Sequence, residues 1–232
     1  MKKNIDNLSV VWISHVSQNE DNMMQDYFDN LDTKYNYEKI VVGHTVLDPV
    51  KYNFKYIPFW EHGLEQMALL GFKKNLGVYN ATKEYTLVVH ADTYPMNSLF
   101  KRMETISLSD LDVVSPIGYI RHSWGDFSFN RGLTWADSSN KDVIEKFSDW
   151  KQKNLLFNHD VRHKLANESA EQWTYISGAA IFSKTSTFKQ IGWNNNLAHV
   201  QGEDIDYSQK LKNNGYKLMC DPELEVFMYN AT

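Results

Sequence analysis

An α/β domain built on a mostly parallel sheet is the architecture this sequence predicts, and three observations carry the prediction. Two β-prone runs, residues 10–14 and 39–42, flank a polar stretch from Gln18 to Asp29 that reads as a helix capped by Asp21 or Asn22, together a β-α-β unit. Residues 85–89 are continuously apolar toward their end, as expected of a strand covered by helices on both faces. With 232 residues and 42% hydrophobic content, the chain suits one large domain with a substantial core and is too apolar to be disordered.

The remaining elements follow in order. From 61 to 81 the apolar residues Leu64, Met67, Ala68, Leu70, Gly71, Val78 and Ala81 recur at the spacing of a helix with one buried face. Lys73 and Lys74, adjacent on that helix, could reach a phosphate but read more readily as a solvated face. The strand at 85–89 ends in His90-Ala91-Asp92, the place beyond a strand's carboxyl end where open α/β sheets bind ligands. Residues 111–116 read as another strand. Residues 120–139 have no clean period and hold Trp124, Phe127, Phe129 and Trp135, the composition of a binding loop. A broadly helical pattern returns from 142 to 165. Residues 173–182 pass from strand through small residues back to strand, 186–192 form a short helix, and Gly202 opens a helix that stops at Gly215. A final strand spans 217–220.

Charge narrows the function classes. A net charge of -5 and the absence of a dense Lys/Arg run argue against a nucleic-acid partner, whose phosphates demand a basic surface. Cys220 is the single cysteine, so no intrachain disulfide forms, in keeping with a reducing compartment. The basic start is not followed by the apolar stretch of a signal peptide, and no apolar run approaches the length of a transmembrane segment. The expectation is a cytoplasmic protein.

Three separated stretches resemble the family 2 type of GT-A glycosyltransferases. The first runs from Lys74-Asn75-Leu76-Gly77 through Ala81 and Glu84-Tyr85 to the strand ending in Asp92. The second is Ser177-Gly178-Ala179-Ala180-Ile181-Phe182. The third joins Ile191-Gly192-Trp193, Gly202-Glu203-Asp204-Ile205-Asp206-Tyr207, Leu211, Gly215-Tyr216 and Pro222. The resemblance implies a Rossmann-like GT-A fold, a three-layer α/β/α sandwich. It divides a single domain into a nucleotide-sugar half, about 1–115, and an acceptor and catalytic half, about 116–232. The acidic residues that the family often places after its second strand to hold the nucleotide are absent at Val42-Gly43-His44-Thr45, which leaves the base of the nucleotide open.

What the resemblance implies chemically is transfer of a sugar from a nucleotide-diphosphate sugar to a saccharide or lipid-linked acceptor, assisted by a divalent cation, Mn2+ or Mg2+. The family's metal signature, two aspartates flanking one residue, reads here His90-Ala91-Asp92, so Asp92 keeps the metal position and His90 becomes a ligand or a donor to phosphate. Asp92 reads equally as a cap of the turn before Pro95. The Glu-Asp pair makes Asp204 the candidate base and Glu203 its support. Asp204 also suits a plain helix cap. Lys74, Asn75, Ala91, Ser177 and Gly178 complete the implied donor site, while Trp124, Trp135, Trp173 and Tyr175 are candidates for stacking on an acceptor sugar. The family's usual histidine near its last strand is missing from Glu225-Val226-Phe227-Met228-Tyr229-Asn230, so that either His199 or His90 takes its place at the metal, or the metal is bound with fewer protein ligands, or the chain has been cut short. Competing readings are a metal-dependent nucleotidyltransferase, for which no Gly-rich phosphate loop is visible, and a degenerate GT-A domain that only binds sugar.

If the aromatic segment 120–139 recognises the acceptor, Trp124→Ala or Trp135→Ala will raise the acceptor KM and leave donor binding nearly unchanged. A severe drop in melting temperature would instead assign that tryptophan to the core.

Overall fold

Strand β1 (Leu8–Ile13) is buried along its whole length and runs through the interior of the sheet. The computed structural model describes residues 4–15, 18–32, 35–59, 69–121, 127–130, 134–136, 173–176, 178–197 and 202–229. Helix α1 (Gln18–Asp26) widens at its end into a π turn, Tyr27–Leu31, and β2 (Glu38–Gly43) returns parallel to β1 with Ser9 opposite Glu38 and Ile13 opposite Val42. This is the β-α-β unit expected from the sequence. A short helix α2 (Pro49–Tyr52) follows. Asp48 caps it by accepting from the amides of Val50 and Lys51 at 2.8 and 3.3 Å, and Pro49 occupies a position where its missing N–H costs nothing. The chain then adds β3 (Lys55–Pro58) at the sheet edge.

Helix α3 (Leu70–Asn80) leads into β4 (Tyr85–His90), which lies parallel to β1 on its other side, Leu8 facing Tyr85 and Ile13 facing His90. Residues 61–68 of the expected helix lie outside the described residues. Next come β5 (Thr93–Pro95), α4 (Asn97–Met103) and a long β6 (Asp112–Arg121). Two short strands, β7 (Phe127–Asn130) and β8 (Thr134–Ala136), occupy parts of the segment expected to be irregular throughout. Backbone pairing with β6 and with β9 (Trp173–Ile176) supplies the order that the local pattern does not. The helical pattern at 142–165 lies outside the described residues. The chain closes with β10 (Ala180–Lys184), α5 (Thr185–Ile191), α6 (Glu203–Asn213) and β11 (Lys217–Tyr229). β11 is far longer than expected because it crosses a register shift between Asp221 and Glu225 and continues along β6.

The sheet order is β3-β2-β1-β4-β10-β6-β11-β5, with β7 also on β6 and with β8 and β9 forming a separate pair. β1, β2, β3, β4, β6 and β11 share one direction, so the sheet is mostly parallel; β10, β5 and β7 run against it. Alternation along β1 sends Val10 and Trp12 to one face, Val11 and Ile13 to the other. On the first face Trp12 meets Phe28 edge-on at 5.4 Å beneath α1, and Leu99, Phe100 and Met103 of α4 join the same core. On the second face Leu70 and Val78 of α3, Phe188 of α5, and Tyr207 and Leu211 of α6 close a second core. Helices on both faces of the sheet make the three-layer sandwich.

Close contact between α3 and the sheet depends on Gly77. A Cβ there would lie 2.3 Å from Val11 Cγ1 and 3.1 Å from Val42 Cγ2. Gly77→Ala is therefore expected to destabilise the protein by about 1–3 kcal/mol through overpacking, despite the better helix propensity of alanine. Chemical denaturation measures it, and Val11→Ala added to Gly77→Ala should recover part of the loss. A single variant as stable as the parent would show that α3 stands off the sheet.

Candidate functional site

The parallel strands deliver their carboxyl ends to one side of the sheet. β1 ends at Ile13 and β4 at His90, and the Ala91 amide donates to the Ile13 carbonyl at 2.9 Å, joining the two ends. β10 runs antiparallel to β4, with Ala180 opposite Val89, so the turn that precedes β10 reaches the same side. Within that turn the Ala179 carbonyl accepts from the His90 amide at 3.1 Å.

Asp92 follows directly. Its Oδ1 accepts a hydrogen bond from the Thr93 hydroxyl at 3.1 Å, and burial pushes its carboxyl above the usual carboxylate range, with the Thr93 bond pulling weakly the other way. A carboxylate whose charge is opposed by burial gains from any positive partner, a proton or a metal ion. The His90 ring stands edge-on to that of His15, with centroids 6.3 Å apart. Lys73 reaches across from α3 to the end of β1, donating to the Ser14 carbonyl at 2.9 Å and lying 3.2 Å from His15 Nδ1.

Asp204 lies in the first turn of α6. Gly202, in the left-handed region at φ +72°, occupies the cap position and offers no side chain. Asp204 Oδ1 accepts from the Ile205 amide at 2.9 Å, while Oδ2 reaches across to the Gly178 amide at 3.2 Å. Burial first, and the neighbouring charge of Glu203 second, raise its carboxyl above the usual range; the Gly178 amide and Lys74 act in the lowering direction. Glu203 itself is turned inward, with its Oε1 2.9 Å from Lys74 Nζ, and the lysine side chain is fully buried. A Cβ on Gly178 would come within 2.5 Å of Lys74 Nζ and 2.7 Å of Glu203 Oε1, so a larger residue there would have to displace the ends of this pair.

Lys73 and Lys74 thus form no solvated face: both are buried, each with a protein partner on a different segment. Asn75 is equally engaged. Its Oδ1 accepts from the Trp193 amide and its Nδ2 donates to the Trp193 carbonyl, both at 2.8 Å. That clip fixes Trp193 flat against Tyr207, with ring centroids 4.1 Å apart. The structure thereby gathers Lys74, Gly178, Glu203 and Asp204 into one cluster, and sets His90, Ala91 and Asp92 next to it through Ala179. Trp135 lies opposite Tyr175, and Trp173 opposite Ala136, in the β8–β9 pair. Trp124, Ser177 and His199 lie outside the described residues. His15 was not singled out from the sequence, though it had a usable signal, since it follows a strand end just as Asp92 does. Lys73, read there as a phosphate contact or a solvated face, is placed beside Ser14 and His15.

Among the described residues no three His, Cys, Asp or Glu side chains converge on a point that would hold a metal by themselves. No helix among them is long and apolar enough to cross a membrane.

No family model matches the sequence, and no curated protein matches it. Solved structures do. The chain is similar to GalNAc-T7 crystallised with UDP, GalNAc and Mn2+ at a TM-score of 0.63 and 14% identity, over 98% of this chain and 44% of that one. It is also similar to S. aureus TarS 1-349, with a TM-score of 0.55 and 14% identity over 96% of this chain and 60% of that one. TarS 1-349 in complex with UDP-GlcNAc gives 0.56 and 14% over 97% and 59%. The chain spans less than two thirds of each of these chains. The likeness shows the fold: a mixed α/β domain with a mostly parallel central sheet, the GT-A fold of glycosyltransferases.

The raised Asp204 carboxyl has a consequence for stability. The folded state holds that proton more tightly than the unfolded chain does, so the group's stabilising contribution is full below the ordinary aspartate value, about 3.9, and is lost as pH rises through the folded value. Asp204→Asn, which mimics the protonated form, is expected to melt above the parent at pH 7, with the gap narrowing as pH falls toward 4. Thermal melts at pH 7 and pH 5 check this; a parent that is the more stable at pH 7 would contradict it.

Proposed function

We propose that this chain is the catalytic domain of a glycosyltransferase of the GT-A, family 2 type, which moves a sugar from a nucleotide-diphosphate sugar to a hydroxyl of a free, lipid-linked or protein-linked saccharide. The observation that carries the reading is the turn Gly178-Ala179. One of its residues bonds the strand end that bears Asp92 and the other bonds Asp204, so two carboxylates suited to different tasks flank a single short segment.

Transfer sets two electrostatic problems, charge growing on the departing diphosphate and a proton to be removed from the attacking hydroxyl. Asp92 fits the first. A hard divalent cation such as Mg2+ or Mn2+ is commonly held by one or two carboxylates together with substrate phosphates, which agrees with the half-buried Asp92 carboxylate just beyond the end of β4. A cation bound there would supply Lewis-acid stabilisation of the leaving diphosphate. Lys73 adds a fixed positive charge at the neighbouring end of β1.

Asp204 fits the second problem. Its raised affinity for a proton makes it a better base than an exposed aspartate. In the step proposed, the acceptor oxygen attacks the anomeric carbon on the face opposite the diphosphate while its proton passes to Asp204. The bond from the anomeric carbon to the diphosphate oxygen breaks, its electron pair leaves with the diphosphate, and the anomeric centre inverts. Asp92 and Lys73 fall in the 1–115 half and the base in the 116–232 half.

UDP, present in the GalNAc-T7 structure, is the natural probe. Calorimetric titration of UDP with Mn2+ is expected to show affinity at least about tenfold higher, 1.4 kcal/mol, than with chelator, and Asp92→Asn should remove most of that difference. Equal UDP affinity with and without Mn2+ in the parent would eliminate the cation from the reading.

A further inference from the structure

Two adjacent carboxylates open α6, and the assignment of Asp204 as base leaves unexplained why Glu203 does not compete for the same proton. We propose that Lys74 is a positioning residue: it draws Glu203 into a closed ion pair beneath Gly178 and so leaves Asp204 as the one carboxylate of the pair that faces the reaction. The inference rests on the glycosyltransferase reading.

Four observations support it. The Lys74 ammonium and the Glu203 carboxylate meet at 2.9 Å with side chains 0% and 8% exposed, which makes Glu203 the inward-turned member of the pair. The pair occupies the volume a Cβ at residue 178 would need, so the same turn that donates to Asp204 also covers Glu203. The lysine is held from a third side by the Trp193 ring, 5.8 Å from its ammonium, and that ring is fixed by the Asn75 clip and the Tyr207 stack. Lastly, among the described residues the charged groups acting on Asp204 are Glu203 on its own helix and Lys74 on α3, while the turn before β10 presents the Gly178 amide. Buried charges of opposite sign are held most firmly when both are hydrogen-bonded and enclosed. This arrangement denies Lys74 to a donor phosphate.

The test uses the full chain without substrate and then with UDP. Carboxyl carbon NMR of protein carrying labelled aspartate follows the titration of Asp204, assigned by the signal missing from Asp204→Asn. Lys74→Gln is expected to move that titration up by about one pH unit, because Glu203 then stands beside Asp204 uncompensated. Glu203→Gln should move it down, and Lys74→Gln/Glu203→Gln should bring it back to the parent value or slightly below. UDP affinity with Mn2+ should stay within about twofold of the parent in all three. If Lys74→Gln does not fold, the double variant, which buries no unpaired charge, and Glu203→Gln still give the ordering. A Lys74→Gln protein whose Asp204 titration is unmoved while its UDP affinity falls tenfold would overturn the inference and make Lys74 a phosphate ligand. Unmoved titration together with unchanged UDP affinity would overturn it in favour of a purely structural pair.

Failure of the underlying reading looks different. Transfer or hydrolysis of UDP-GlcNAc that survives Asp204→Asn would remove Asp204 as base whatever Lys74 does. Loss of turnover in Asp204→Asn with an unmoved titration in Lys74→Gln would sink the positioning role alone.

Discussion

A fully buried ammonium needs a partner to offset its lost hydration, and in this protein the meeting of Lys74 with Glu203 joins segments far apart in sequence. Lys74 belongs to α3, which packs on β1 and β2; Glu203 starts α6, which packs on the opposite half of the sheet. Once the pair forms, the turn before β10 passes over it at Gly178, and the helix start that carries Asp204 is held against that turn. Asn75, one residue on from Lys74, then fixes Trp193 and through it Tyr207, so the polar connection is sealed by stacked rings that exclude water. A low dielectric around the pair strengthens its attraction and raises the cost of separating it.

Strand direction determines where the polar chemistry collects. With β1 and β4 parallel and adjacent, Ser14, His15, His90 and Asp92 emerge on one side of the sheet, at the carboxyl ends of these strands. The antiparallel strand between β4 and β6, β10, matters as much as its parallel neighbours. By running the other way it carries its entry turn, rather than its exit, to that side, and this brings Gly178 and Ala179 to the ends of β4 and α6. A parallel strand in the same slot would place that turn at the far side of the sheet.

The two cores divide labour along the same lines. The face under α1 and α4 is packed with rings, Trp12, Tyr27, Phe28, Tyr37 and Phe100 among them, and meets the candidate site at Ala91 and Ala179. The other face, under α3, α5 and α6, is aliphatic along β1 and β2 and, among the described residues, aromatic around Trp193, beneath the Lys74–Glu203 pair. Stability and chemistry are thus largely carried on opposite sides of one sheet.

The sequence by itself determined the central strands and the positions of Asp92 and Asp204 at a strand end and a helix start. Those features are local: β1, β2 and β4 are apolar because both their faces are covered, and a strand end or helix start is marked by the residues next to it. It also contained the order of the blocks that resemble GT-A enzymes, and the fold agrees with them. Only the tertiary structure decided what the lysines do. Lys73 and Lys74 look like a surface pair on any helical wheel, because their partners are Ser14 and Glu203, 59 and 129 positions away. The direction of β10, the length of β11 and the strands within 120–139 were equally out of reach, since each is set by a neighbouring strand's hydrogen bonds rather than by its own side chains. The chemistry of individual groups was legible where it depended on adjacent residues, and hidden where a buried charge had to wait for the fold to supply its partner.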